Sequence, residues 1–176
     1  MHDPLRAVPL DPASLHLIRG FDCGQEVYQQ ELADWPGVEA EQHMARGTRV
    51  WMYIDGANTP VGFGSLGVTN WRWPEKDSGR VRLLLIPAVA LRREFQGEPK
   101  EVGRDERYSS QVMRHLLQEA TAWPGSPPAV GLYVAPANTA AIRLYERFGF
   151  QVFHNTYIDK DTGAEYRGYV RRLPAT

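Results

Sequence analysis

The sequence predicts an α/β fold of the α+β layer type: one domain over residues 1–176, with a mixed central sheet of about six or seven strands and about four flanking helices. Three observations lead to this prediction. The length of 176 residues suits a single domain. A hydrophobic content of 43% suits a packed core. The apolar patterns follow the order strand, helices, three strands, helix, strand, helix and two strands, without repeats or a long linker.

The first part of the chain predicts a strand, an interrupted helical region and a hairpin. Residues 4–10 form a short strand that stops before a proline. Residues 13–45 have a helical pattern broken by glycines, with Asp22 as the candidate cap of the helix that follows it. Residues 49–55 and 60–68 are rich in β-forming residues and flank a glycine turn, which predicts a β-hairpin.

The middle of the chain predicts the central strand. Residues 81–91 are apolar on both faces, as in a strand that is covered on both sides. Pro87 lies inside this run and cannot donate to a ladder, so it predicts a bulge or a place where a neighbouring strand departs. The residues before the run predict a loop with two exposed tryptophans, Trp71 and Trp73.

The last part predicts two helices and a closing hairpin. Residues 108–120 carry a single apolar stripe at helical spacing, and residues 129–136 form the next strand. Residues 138–150 form a second helix, which turns directly into an antiparallel pair of strands over 150–158 and 165–173.

Composition excludes several classes of function. A formal charge of −1 and a pI near 6.5 give no general electrostatic attraction to nucleic acid. The single cysteine, Cys23, excludes an internal disulfide and fits a reducing compartment. The N-terminus lacks the apolar core of a signal peptide, and no apolar run approaches the roughly 20 residues of a membrane span. We therefore expect a cytoplasmic protein with no membrane partner and no metal.

The clearest motif lies in residues 132–150, which read L-x-V-x-x-x-N-x-x-A-x-x-L-Y-x-x-x-G-F. This motif resembles the fifth strand and fourth helix of the GCN5-related N-acetyltransferases (GNAT). Residues 89–97, VALRREFQG, are similar to the approach to that family's cofactor loop. The resemblance implies splayed central strands that form an acyl-CoA cleft, and transfer of an acetyl group from acetyl-CoA to a primary amine.

The resemblance also implies a binding loop for the coenzyme. A helix that begins near Tyr108 offers N–H groups and a partial positive charge to a pyrophosphate. The chain departs from the family because residues 98–106 lie where one residue is usual, and Arg107 replaces a glycine. The implied cofactor-binding residues are Val89, Ala90, Leu91, Gln96, Gly97, Arg107, Tyr108, Ser109, Ser110, Asn138 and Tyr145.

Tyr145 is the implied catalytic acid, and Asn138 is both the predicted N-cap of its helix and a contact of the cofactor arm. A leaving thiolate has a pKa of about 8.5 and tyrosine one of about 10, so complete proton transfer is uphill by about 2 kcal/mol. Hydrogen bonding to the developing thiolate needs no complete transfer. The alternative is a core tyrosine with a satisfied hydroxyl.

Splayed strands would expose a backbone N–H to the acetyl carbonyl oxygen. The resemblance places this donor between Pro87 and Leu91, at Val89 or Ala90. A donor of this kind is worth about 2.7–4 kcal/mol.

The general base is not evident from the sequence. Many relatives carry a glutamate on the fourth strand, and residues 81–91 contain none. At pH 7 deprotonation costs about 4.6 kcal/mol for a lysine amine and about 1 kcal/mol for an α-amine, so the chain suits an amine of low pKa or a water chain. The candidate bases are Asp22, Glu26, His43 and His154. The candidate substrate contacts are Trp71, Trp73 and Glu26.

Two alternatives to a small-molecule, peptide or protein amine stay open. Residues 19–32, RGFDCGQEVYQQEL, resemble the opening of tRNA-acetylating toxins, which act on the α-amine of aminoacyl-tRNA, although those toxins are typically basic. Cys23 itself is expected to be a buried structural residue. The other alternative is an inactive CoA-binding sensor or scaffold. A homodimer also stays open.

Overall fold

A computed structural model describes residues 4–72, 79–97 and 107–174. The strands in these ranges are β1 (Arg6–Leu10), β2 (Arg49–Ile54), β3 (Pro60–Arg72), β4 (Arg80–Ile86), β5 (Val89–Leu91), β6 (Ala129–Val134), β7 (Gln151–Ile158) and β8 (Glu165–Arg172). The α-helices are α1 (Val27–Val38), α2 (Ala40–Ala45), α3 (Tyr108–Thr121) and α4 (Thr139–Arg147). Short 3-10 helices cover Pro12–Ile18 and Arg93–Phe95.

The strands form one open mixed sheet. Its hydrogen-bonded order is β1-β2-β3-β4-β6-β8-β7, and β5 pairs with β3 outside this path. The pair β4–β6 is parallel, whereas β1–β2, β2–β3, β3–β5, β6–β8 and β7–β8 are antiparallel. The predicted α+β layer fold with a mixed sheet is confirmed.

Two compact units make up the chain. The first comprises Met1–Gly67 and Ala88–Leu117, and the second comprises Val68–Pro87 and Gln118–Thr176. The core of the first unit joins the early 3-10 helix and α1 to β1, β2, β3 and β5. Cys23 is part of this core, with 2% of its surface exposed, and burial raises the pKa of its thiol to about 11. The expectation of a buried structural cysteine is confirmed.

The second unit has its core around Trp71, which is 4% exposed. The indole ring stacks on Phe153 with centroids 5.7 Å apart. It also covers Gly131, where an added Cβ would come within 2.6 Å of the ring. The prediction that Trp71 lies in an exposed loop was therefore wrong. Strand β3 extends to Arg72, and the Trp71 ring packs against the backbone of Gly131, which has no side chain. Trp73 lies outside the described residues.

The start of α1 also differs from the prediction. The N-cap is Glu26, whose backbone N–H donates to Gln29 Oε1 at 3.1 Å. Asp22 instead accepts from the backbone N–H of Gly24 at 3.0 Å. Gly24 has a φ of +123° and turns the chain between Asp22 and the helix, so the aspartate caps this turn rather than α1.

Candidate active site

The predicted central strand is interrupted at Pro87. Before it, Leu84–Ile86 of β4 pair in parallel with Val130–Leu132 of β6. After it, β5 pairs with β3, with Val89 opposite Gly64. The pairing with β6 therefore ends at the proline, whereas β3 is the neighbour of both β4 and β5.

Ser65 of β3 fixes the first peptide after this interruption. The fully buried Ser65 hydroxyl donates to the carbonyl oxygen of Ala88 and accepts from the N–H of Ala88, both at 2.9 Å. The backbone N–H of Ser65 donates to the same carbonyl oxygen at 2.9 Å. The Ser65 hydroxyl, instead of a backbone carbonyl, is thus the acceptor for the N–H of Ala88. Sequence reasoning missed Ser65, whose signal was a lone hydroxyl in an apolar strand.

The hydrogen-bond pattern of β5 identifies which N–H groups point away from β3. Ala88 faces β3, and so does Arg92, whose N–H donates to the Val61 carbonyl at 2.8 Å. Because alternate residues of an antiparallel strand face the same neighbour, Ala90 also faces β3. The N–H groups of Val89 and Leu91 are directed away from it. Of the two candidate acetyl-oxygen donors, the Ala90 N–H is therefore directed at β3, and the Val89 N–H is directed away from it.

Gln96 ties the loop after β5 to other parts of the first unit. Its side-chain Nε2 donates to the carbonyl oxygens of Cys23 at 2.8 Å and Leu91 at 3.1 Å. Nearby, the N–H of Arg93 donates to the carbonyl of Asp22 at 2.6 Å. The Nε2 donors of Gln96 are thus used by backbone carbonyls of the protein. Gly97 follows with a φ of +84° and with no described atom within 4 Å of where a Cβ would lie.

The N-terminus of α3 has the form of an anion site. The first intrahelical hydrogen bonds run from Ser110 N and Gln111 N to the carbonyl of Arg107, at 2.8 and 3.1 Å. The N–H groups of Tyr108 and Ser109 precede these bonds and point out along the helix axis. The Tyr108 and Ser110 side chains are buried, and the insertion predicted at 98–106 lies outside the described residues.

Helix α4 presents the other predicted groups, in the second unit. Asn138 is its N-cap, as predicted, because Asn138 Oδ1 accepts from the N–H of Ala141 at 3.2 Å. This bond leaves the Nδ2 donors of Asn138 unused by the helix. On the inner face of α4, Ala141, Ile142 and Leu144 are half-buried and Tyr145 is buried.

The Tyr145 side chain is 7% exposed and packs against Phe150, with ring centroids 5.9 Å apart. Its hydroxyl has no hydrogen-bond partner among residues 4–72, 79–97 and 107–174. Burial raises the pKa of Tyr145 to about 12. The hydroxyl is therefore neutral at pH 7 and can donate a hydrogen bond, which differs from the alternative of a core tyrosine with a satisfied hydroxyl.

The candidate bases have other structural roles. Asp22 and Glu26 are exposed and stabilise the loop and the helix described above. His43 packs on Trp35, 5.7 Å between ring centroids, and burial lowers its pKa. His154 is exposed on β7, beside Phe153. Within the described residues, no group of three or more His, Cys, Asp or Glu side chains is arranged to hold a metal ion.

A polar pair in the first unit was not anticipated. The hydroxyl of Tyr53, on β2, lies 3.0 Å from Nδ1 of His115, on α3. Tyr53 is buried, and a Cβ on Gly64 would lie 3.2 Å from its hydroxyl. The glycine on β3 thus makes room for this pair. The alternating glycines of β3, Gly62 and Gly64, were the feature of the sequence that could have indicated this space.

The chain matches the sequence profile of the Acetyltransferase (GNAT) family over residues 15–150. It belongs to that family. As a GNAT protein it is an acetyltransferase, and acetyl-CoA is its cosubstrate. Within the first unit, the N-terminus of α3 and the outward N–H groups of β5 are backbone donors of the kind that can bind a pyrophosphate and a carbonyl oxygen. No curated protein matches the sequence.

Three solved structures share the fold at low identity. Spermidine/spermine N-acetyltransferase SpeG from Vibrio cholerae has 14% identity and a TM-score of 0.59, covering 96% of this chain and 92% of that one. A mutant AtaT toxin bound to the C-terminus of the antitoxin AtaR and acetyl-CoA has 15% identity and a TM-score of 0.59, covering 97% and 94%. The NatC complex bound to Gag peptide and CoA has 16% identity and a TM-score of 0.58, covering 98% and 99%. No helix in the described parts of the chain is long and apolar enough to cross a membrane.

Proposed function

We propose that the protein, as one N-acetyltransferase domain over residues 1–176, transfers the acetyl group of acetyl-CoA to a primary amine by direct attack on the thioester. Tyr145 carries this proposal. The neutral hydroxyl of this largely buried tyrosine, which has no hydrogen-bond partner among the described residues, can donate to a leaving thiolate.

The residues divide the reaction between them. As the amine nitrogen bonds to the carbonyl carbon, the Val89 N–H donates to the carbonyl oxygen, which gains negative charge. As the carbon–sulfur bond breaks, the Tyr145 hydroxyl donates to the sulfur, and the amine proton leaves to water. With the pKa of Tyr145 near 12 and that of a thiol near 8.5, complete transfer from Tyr145 is uphill by about 5 kcal/mol. Tyr145 therefore acts as a hydrogen-bond donor.

The coenzyme is held by backbone groups and one amide side chain in this proposal. The N–H groups at Tyr108 and Ser109 bind the pyrophosphate, with Gly97 leaving space for the backbone to approach it. The Nδ2 of Asn138 donates to the pantetheine arm. Gln96 contributes by positioning, because its side chain is bound to Cys23 and Leu91.

The acceptor is a small-molecule, peptide or protein amine. No carboxylate lies on β4 or β5 to take the amine proton. An amine that is partly neutral at the working pH, or one deprotonated through water, fits this arrangement.

Aminoacyl-tRNA is the second candidate acceptor. Two observations favour it: the turn over residues 21–24 before α1, in which Phe21 and Cys23 are buried, and the structural likeness to a toxin acetyltransferase. The formal charge of −1 speaks against it, because binding to tRNA depends on phosphate neutralisation.

The test is acetyl-CoA-dependent thiol release across monoamines, diamines, peptides and charged tRNA, with a calorimetric titration of CoA. We expect CoA to bind and at least one free amine to be acetylated. Acetylation of charged tRNA alone would select the second candidate. Binding of CoA without turnover on any acceptor would instead support the sensor or scaffold. Gel filtration of the same sample tests whether the protein is a monomer or a homodimer.

A further inference from the structure

Gly62 of β3 leaves room for the backbone of β5. A Cβ added to Gly62 would overlap the carbonyl oxygen of Ala90, and it would lie 2.7 Å from Cδ2 and 3.2 Å from Cα of Leu91. A carbonyl group of a paired strand cannot swing aside as the end of a flexible side chain can. A side chain at position 62 would therefore displace the backbone of β5.

The missing side chain, rather than a special backbone conformation, is what the structure uses at this glycine. Gly62 is not among the residues with a positive φ. It is opposite Leu91 in the pairing of β3 with β5. Because Ala90 faces β3, Gly62 and Leu91 form the closely spaced type of antiparallel pair, with Cα atoms about 4.5 Å apart. The Leu91 side chain takes the space that a side chain of residue 62 would need.

Strand β5 has three residues, and hydrogen bonds hold it against β3 at both ends. At its start the Ser65 hydroxyl binds both the N–H and the carbonyl oxygen of Ala88. At its end the N–H of Arg92 donates to the Val61 carbonyl at 2.8 Å. Gly62 lies next to this second contact. If a side chain pushed on the strand between these two contacts, its peptide groups would rotate rather than move as a whole.

The peptide group between Ala90 and Leu91 is the one beside Gly62. Its carbonyl oxygen lies on the β3 side, at the position of the missing Cβ. Because a peptide group is planar and its N–H points opposite to its C=O, the Leu91 N–H is directed away from β3. The Val89 N–H is directed the same way, about 6.8 Å along the strand. In the described parts of the chain, β5 pairs with no strand other than β3.

Acetyl-CoA carries two carbonyl groups at a matching spacing. A sulfur, two methylene groups and a nitrogen separate its thioester carbonyl from the nearest amide carbonyl, about the length of two extended residues. We propose that Gly62 is a positioning residue for acetyl transfer, since its missing side chain sets the direction of the Val89 and Leu91 N–H groups. Val89 donates to the thioester oxygen, and Leu91 donates to the amide oxygen. This inference rests on the proposed function for the role of Val89.

The thioester carbonyl itself reports the hydrogen bond from Val89. A hydrogen bond to a carbonyl oxygen lowers the stretching frequency of the carbonyl group. Infrared difference spectra of bound acetyl-CoA, isotopically labelled in its acetyl carbonyl, therefore measure this contact without an acceptor amine. We expect Gly62→Ala to raise the frequency relative to the wild type, because the rotated Val89 N–H no longer points at the oxygen.

Turnover and coenzyme affinity give two further measurements. Removing a donor of this kind costs about 10²-fold or more in kcat, so Gly62→Ala should lower kcat per folded molecule at least about tenfold. The loss of the Leu91 hydrogen bond should weaken CoA binding about fivefold in a calorimetric titration. Circular dichroism gives the folded fraction by which kcat is corrected.

Two other glycines provide matched controls with the same substitution. Gly64→Ala is on the same strand and the same face, but the added Cβ would lie 3.2 Å from side-chain atoms of Leu116 and Tyr53 rather than from β5. It should lower stability and keep the carbonyl frequency and kcat. Gly37→Ala lies in α1, where the nearest listed contact of a Cβ would be Nε of Arg19 at 3.9 Å, and it should change none of these quantities.

A second variant guards against misfolding of Gly62→Ala. Adding Leu91→Ala removes the overlap with Cδ2 and keeps the overlap with the Ala90 carbonyl, so the double variant should show the same raised frequency. If the wild type acetylates no amine but the frequency rises in Gly62→Ala and not in Gly64→Ala, the role of Gly62 stands and the proposed function fails. A frequency that Gly62→Ala leaves unchanged, or that both glycine variants change alike, overturns the role of Gly62.

Discussion

Ser65 and Ala88 exchange two hydrogen bonds through the Ser65 hydroxyl, each 2.9 Å long, at the point where β4 gives way to β5. Pro87 precedes this contact and has no N–H to offer. The serine thus sets the orientation of the peptide from which β5 starts, and with it the direction of the Val89 N–H.

Replacing Ser65 by Ala tests this role. The change leaves the buried N–H of Ala88 without its acceptor, which costs about 1–3 kcal/mol in the free energy of unfolding. Urea denaturation measures the loss, and kcat should fall because the Val89 donor is less well placed. Asn70→Ala, at an exposed position of the same strand, is the control and should change neither quantity. A Ser65→Ala variant of unchanged stability and activity would contradict this role.

A second test asks whether Gln96 positions the two chain segments that it joins or contacts the cofactor directly. Gln96→Leu removes the donors to Cys23 and Leu91 and should lower stability by about 1–2 kcal/mol. We expect KM for the amine to rise together with KM for acetyl-CoA, because the same side chain holds both loops. Gln151→Leu on β7 is the exposed control. An effect on acetyl-CoA alone would mean that Gln96 contacts the coenzyme directly.

Asn138 separates helix capping from coenzyme binding. Asn138→Asp keeps the side-chain oxygen that accepts from Ala141 and loses the Nδ2 donors. It should keep the stability of the wild type and weaken CoA binding, whereas Asn138→Ala should also lose about 1 kcal/mol of stability. Thermal unfolding and calorimetry measure the two effects. Equal CoA affinity in Asn138→Asp and the wild type would limit Asn138 to capping.

Cys23 distinguishes direct transfer from a covalent enzyme intermediate. With the thiol pKa raised to about 11 by burial, the reactive thiolate is scarce at pH 8. Iodoacetamide should therefore label the native protein slowly and the urea-unfolded protein quickly. Cys23→Ala should reduce stability and leave the folded fraction active. Complete loss of activity in a variant that is still folded would support a cysteine nucleophile.

The fold could be predicted from patterns that are local in the sequence. The apolar stripe of α3, the Asn138 cap and the break at Pro87 each depend on a few neighbouring residues, and the structure has all three. Burial of Trp71 depends on Gly131, which comes 60 positions later in the printed sequence, so its neighbourhood gave no sign of it. An exposed loop was the natural expectation for a tryptophan among polar residues.

The sequence predicted which residues belong to the candidate site better than it predicted what those residues contact. The sequence indicated Val89, Gln96 and Tyr145, but whether an N–H or a side chain is already engaged depends on partners far along the chain. Gln96 and Cys23 are 73 positions apart.

The most direct test of the account is Tyr145→Phe, which removes one hydroxyl from a buried ring and keeps the packing on Phe150. Because the hydroxyl donates to the leaving sulfur and nothing in the described residues binds it, we expect kcat to fall by about 10²-fold or more. Stability and CoA affinity should stay close to those of the wild type. With the pKa of Tyr145 near 12, wild-type kcat should show no decline from its ionisation up to pH 10. A Tyr145→Phe variant with wild-type kcat would contradict the proposed mechanism.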